Sequence, residues 1–128
     1  MIKKIYVILF LLILISCSLD RSNPLDPLNS GKDAPRKVTG IVVTNYDNTS
    51  LVISWDTMQN IDGYYIYRST YFDGKYRKIV NEISHSDSLF EDTDVELPEK
   101  FYYYKMSAFK DLNGKILEGY RSEPKYVN

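Results

Sequence analysis

The chain of 128 residues contains one cysteine, one histidine and one tryptophan, and each scarcity removes a class of protein. A lone Cys17 has no partner for a disulfide, so stability has to come from packing. One histidine and one cysteine cannot furnish the three or four protein ligands of a zinc site. The histidine lies in Ser84-His85-Ser86-Asp87-Ser88. A serine hydrolase needs its imidazole oriented by a carboxylate with a hydroxyl in bonding reach, and a polar turn supplies those residue types by composition alone. The segment reads as a solvated loop, and neither catalysis nor a cofactor is expected. Basic charge is not in excess, with 16 Lys and Arg against 17 Asp and Glu, which disfavours nucleic acid as a partner. No internal repeat is present. Within residues 35–128 helix signals are almost absent as well: no window of 11 or more residues there carries capped i, i+3, i+4, i+7 apolar spacing.

What is present at the N-terminus is a cationic Lys3-Lys4 followed by the uncharged stretch 5–15. That stretch has the length of a signal h-region and is too short for the ~20 residues that span a bilayer. It ends in Leu14-Ile15-Ser16-Cys17, which resembles a bacterial lipobox. The resemblance implies that residues 1–16 are a lipoprotein signal peptide. Cys17 would then be the lipidation site, holding the mature chain to a membrane. Loss of Lys3 and Lys4 lowers the 16 basic side chains to 14 and moves the formal charge from −1 to −3. Each buried CH₂ of an acyl chain contributes roughly 0.8 kcal/mol, so two or three chains make a firm anchor. Ser18 and Leu19 follow the cysteine without an aspartate, a pattern similar to that of lipoproteins sent to the outer membrane. The expected location is therefore the bacterial cell envelope, at the outer membrane or cell surface rather than the inner membrane.

Residues 17–34 are rich in Ser, Asn, Asp, Pro and Gly and read as a flexible tether. Fully extended it reaches on the order of 60 Å at ~3.3 Å per residue. Its Asn23-Pro24-Leu25-Asp26-Pro27 stretch reads as a stiffened spacer.

Residues 35–128 suffice for one compact domain, and strand signals fill them. Val38 to Thr44 is β-branched; Leu51, Ile53 and Trp55 alternate with Val52 and Ser54, the period of two of a strand with one buried face. Tyr64 to Arg68 forms a third strand, and Asp73-Gly74 signals a hairpin into Tyr76 to Ile83. Leu89 to Glu91 is short, and Phe101 to Phe109 is the longest run. Asn113-Gly114 turns the chain into Ile116 to Tyr120, with Lys125 to Val127 beyond. About seven short strands at this spacing predict an antiparallel β-sandwich.

In order and spacing, Leu51-Val52-Ile53-Ser54-Trp55, Gly63-Tyr64-Tyr65-Ile66-Tyr67-Arg68-Ser69, Phe90-Glu91-Asp92-Thr93 and Pro98 through Ala108 resemble a fibronectin type III domain. The resemblance implies an all-β, seven-stranded, immunoglobulin-like sandwich with Tyr102 as its tyrosine corner, the hydroxyl bonded to backbone upstream. Glu99 stands where the family commonly has glycine, and Glu96 where an apolar residue is usual.

Such a sandwich is a scaffold, and function lives in sites carried on it. Glu91, Asp92, Asp94 and Glu96 read as a solvated acidic edge rather than a calcium site, and the Asn48-Thr49-Ser50 sequon carries almost no weight. Tyrosine is the compositional outlier, with 12 in the chain. Tyr64, Tyr102 and Tyr104 are assigned to the core. Tyr65, Tyr67, Phe101 and Tyr103 are expected to point outward from neighbouring strands, with Tyr71 and Phe72 at the rim. An outward aromatic patch either binds protein or polysaccharide or is cross-strand pairing that stabilises the sheet, and Tyr65 and Tyr103 are expected to be dispensable for folding. The function read from these residues is a non-enzymatic, membrane-anchored lipoprotein presenting a binding module. The alternative is a structural or assembly subunit of a larger envelope complex.

Overall fold

The structure, a computed structural model, describes residues 34–127. The expected lipidation of Cys17, the signal peptide and nearly all of the tether lie outside the described residues. Seven strands make two antiparallel sheets. β1 (Val42–Asn45), β2 (Leu51–Ser54) and β5 (Leu89–Asp92) form one in the order β1-β2-β5. The other has the order β4-β3-β6-β7, from β3 (Gly63–Ser69), β4 (Arg77–Ser84), β6 (Tyr103–Leu112) and β7 (Lys115–Glu118). The expected sandwich is present. Among the described residues no helix is long and apolar enough to cross a membrane.

The core follows from strand alternation. Leu51, Ile53 and Trp55 from the first sheet pack against Tyr64, Ile66, Tyr102, Tyr104, Met106 and Ala108 from the second, the residues that the period of two assigns inward. Trp55 meets Tyr64 edge-on at 5.4 Å between ring centroids. Tyr102 is the expected corner: its hydroxyl accepts a 2.9 Å bond from the Glu96 backbone N–H. The corner therefore survives both of its unusual glutamates.

Several boundaries differ from expectation, among them the end of β7 at Glu118 instead of Tyr120 and the segment Lys125 to Val127, which makes one bridge at Lys125 and no strand. β1 begins at Val42, not Val38, because Gly40 has φ +67 and bends the chain away from the ladder. Asp73-Gly74 does not close a two-residue hairpin. Gly74 N–H bonds Tyr71 C=O at 3.1 Å inside a longer connection, residues 70–76, which lifts Tyr71 and Phe72 clear of the sheet. β6 starts at Tyr103, leaving Phe101 in the preceding loop. Asn113-Gly114, with φ of 55 and 91, makes the two-residue turn expected of it. Beyond β7 the chain continues along β6, where Lys125 and Tyr104 exchange two backbone bonds of 2.8 Å.

A buried ion pair ties the sheets together. Arg68 on β3 sends Nη1 to both oxygens of Asp92 on β5, at 2.9 and 2.8 Å, and Nη2 to Asp94 at 2.9 Å. The Tyr104 hydroxyl donates to Asp92 at 2.7 Å. The solvated acidic edge expected from sequence is corrected at Asp92, which is buried; Glu91, Asp94 and Glu96 are exposed, with Glu91 accepting from Ser50 and Glu96 paired with Lys100. Strand pairing of β5 with β2, which turns Asp92 toward the other sheet, is the reason.

Candidate functional site

The six aromatics singled out in the sequence divide into two groups. Tyr65 and Tyr67 do face outward from the four-stranded sheet, yet only 8% and 3% of their surface is exposed. Tyr65 stacks on Phe109 with centroids 4.5 Å apart, and Lys78 Nζ lies 3.3 Å above the Tyr65 ring. Arg121 covers Tyr67 at 3.7 Å. The Tyr67 hydroxyl donates to Glu118, which also accepts from Ser107 at 2.6 Å. Gly63 leaves room for this layer, since a Cβ there would stand 2.8 Å from Phe109 Cε1. Long cationic side chains roof the outer face, which alternation cannot foresee. Tyr65 thus pairs with Phe109, whereas Tyr67 is held by Arg121 and Glu118 and has no ring partner among the described residues; the burial of Tyr65 runs against the expectation that it is dispensable for folding.

Burial, followed by the hydrogen bond to Glu118, pushes the Tyr67 hydroxyl up to about 12, and burial beside the Asp92 carboxylate raises Tyr104 further. The unfolded chain ionises near the ordinary value of 10.0 and so loses these protons first. The stabilisation is complete below pH 10 and disappears as pH rises through the folded values. In an alkaline titration of tyrosinate absorbance, these two hydroxyls are expected to ionise after the exposed tyrosines. Unfolding free energy should fall between pH 10 and 12, less steeply in Tyr67→Phe.

The other four aromatics gather at one pole. Phe101 is 78% exposed, Tyr71 74% and Phe72 48%, with Tyr103 half-buried between them. Tyr126, which the sequence reading did not include, joins them at 49% exposure. The rings form a row: Phe72 to Tyr103 is 5.8 Å between centroids with planes at 88°, and Tyr103 to Tyr126 is 5.5 Å at 60°. Two clefts flank the row. One of 510 Å³ lies against Tyr71 and Phe72, and one of 180 Å³ against Leu97, Pro98 and Tyr126. Lys100, Phe101 and Tyr103 line both, so they form the wall between. Tyr126 stands beside Tyr103 because Lys125, one residue before it, pairs with Tyr104.

Strand directions fix where this pole lies. Ser69 pairs with Tyr103 and Leu51 with Asp92, so the turn after β1, the connection 70–76 and the Tyr102 corner share one end. Ala34 lies at the other end, beside Met58, Asn60 and Lys110. At about 3.3 Å per residue, β3 alone separates the two ends by roughly 20 Å.

The structure superposes on an Fn3-like protein from Clostridium thermocellum with a TM-score of 0.60 and 25% identity, over 71% of this chain and 88% of that one. It matches the chicken CNTN1 FN1-FN3 domains at a TM-score of 0.60 and 18% identity, covering 73% and 30% of the two chains. The fold is that of a fibronectin type III domain. In sequence, this fibronectin type III domain is 34% identical over 89 residues to amylopullulanases of Thermoanaerobacterium saccharolyticum and Thermoanaerobacterium thermosulfurigenes. The match takes in 68% of this chain but only 7% and 5% of the length of those relatives. No protein-family profile matches the sequence.

His85 is exposed in the turn after β4, and the hydroxyls of Ser84 and Ser86 bond each other at 3.0 Å. Among the described residues no group of three or more His, Cys, Asp or Glu gathers as a metal site.

Proposed function

We propose that the protein is a non-catalytic lipoprotein of the bacterial envelope, anchored through Cys17, whose fibronectin type III domain binds a partner through its aromatic pole. The observation that carries this reading is the position of Tyr71, Phe72, Phe101, Tyr103 and Tyr126 at the end of the sandwich away from Ala34. A tether entering at Ala34 would present these rings away from the membrane. Exposed aromatics of this number at one end suit recognition, because each ring is large and rigid, three of the five carry a hydroxyl, and Tyr71, Phe72, Phe101 and Tyr126 stand exposed around the half-buried Tyr103. The small share of the amylopullulanases that the chain matches supports an accessory role, and their name favours polysaccharide over protein as the partner class.

Cys17→Ser is expected to shift the protein from the membrane fraction to the soluble one; retention in the membrane would refute the anchor. A membrane-impermeant amine reagent applied to intact cells should label Lys75 and Lys115, both exposed. Labelling only after permeabilisation would place the domain in the periplasm and favour the assembly-subunit reading. Binding itself is tested by Phe101→Ala, which should weaken the partner at least tenfold without a change in folding.

A further inference from the structure

We infer that the aromatic pole accepts a neutral polysaccharide whose sugar rings turn along the chain, an α-linked glucan type, and not a flat ribbon. The inference rests on the reading that this pole is the binding face. Three features of the row set the ligand. Its repeat comes first: successive centroids lie 5.8 and 5.5 Å apart, comparable with the length of one hexopyranose unit, so Phe72, Tyr103 and Tyr126 can each meet a consecutive sugar. The second feature is orientation. Successive planes are turned by 88° and 60°, so a ribbon with all its sugar faces parallel could lie flat on one ring only. A chain that rotates between units offers a C–H face to each ring in turn.

The third feature is charge. The wall residue Lys100 is paired with Glu96 at 2.6 Å, and Glu99 lines the larger cleft beside it, so both signs are present there. No field of one sign is built there, which selects an uncharged polymer over an acidic one. The ammonium of Lys100 and the tyrosine hydroxyls remain as hydrogen-bonding groups along the wall, the arrangement that fixes hydroxyl-rich ligands between aromatic faces. Tyr126 is contributed by the C-terminal segment, so that segment is part of the site.

The test is affinity electrophoresis of the full chain, solubilised in detergent, through gels containing pullulan, hydroxyethylcellulose or no polymer. Wild type should be retarded by pullulan and not by hydroxyethylcellulose, and Phe101→Ala and Tyr126→Ala should each weaken the retardation tenfold or more. Phe101 is exposed enough that its variant keeps the fold, which unchanged thermal unfolding would verify. Equal or stronger retardation by hydroxyethylcellulose overturns the turning-chain ligand while the aromatic pole stands as a binding face. No retardation by either polymer overturns the glycan. If wild type instead captures an envelope protein and Phe101→Ala does not, the pole survives with a protein ligand. Retardation that Phe101→Ala and Tyr126→Ala both leave unchanged overturns the pole and the ligand class together.

Discussion

Arg68→Met is expected to lower the free energy of unfolding by about 3–5 kcal/mol. The substitution keeps much of the side-chain volume but strands the Asp92 carboxylate, whose side chain is 4% exposed, with only the Tyr104 hydroxyl and the Asp94 backbone N–H as donors. A domain of this size has roughly 5–15 kcal/mol in total, so the variant approaches the edge of folding. Arg68→Lys should fall between the two, because an ammonium supplies the charge but not the fork that grips both oxygens of Asp92 and reaches Asp94. Adding Asp92→Asn to Arg68→Met should restore part of the loss by removing the stranded charge. Urea denaturation with unchanged slope reads all three; a loss below about 1 kcal/mol for Arg68→Met would mean that the carboxylate is hydrated and the pair is not a buried one.

Tyr65→Ser is expected to cost about 3 kcal/mol, and Phe101→Ser less than about 0.5 kcal/mol, although both residues are aromatic and both lie outside the main core. Tyr65 loses a ring stacked on Phe109 and leaves the Lys78 ammonium above a gap. Phe101, at 78% exposure, gives up little buried area. Thermal unfolding of the two variants side by side separates them. Equal effects would show that the outer layer over Tyr65 is open in solution, and Tyr65 would return to the list of binding candidates.

These contrasts mark where sequence reasoning reached and where it stopped. Inward and outward sets for Leu51 to Trp55 and for Tyr102 to Ala108 were legible because a strand has a period of two and no other rule competes with it. The Asn113-Gly114 turn was legible because its backbone needs positive φ at both positions. Tyr65 and Tyr67 were legible in direction only. Whether an outward ring is wet depends on which long side chains fold over it, and Lys78 and Arg121 come from β4 and from beyond β7. Asp92 was misjudged for a related reason: its neighbours in sequence are acidic and exposed, whereas its partner Arg68 is 24 residues away on the opposite sheet. Tyr126 entered the site through pairing of the C-terminal segment with β6, which no local pattern announces.

The placement of Ala34 and the aromatic row at opposite ends also determines how the domain responds to force. A pull applied between them runs parallel to the strands, while the ladder bonds of β1 with β2 and of β3 with β6 lie across that direction. Load is then shared among many bonds sheared together instead of being passed to one bond at a time, and the Arg68 bridge between the sheets lies inside the stressed path. The sandwich would therefore resist a pull between Ala34 and the aromatic row better than one applied across its strands.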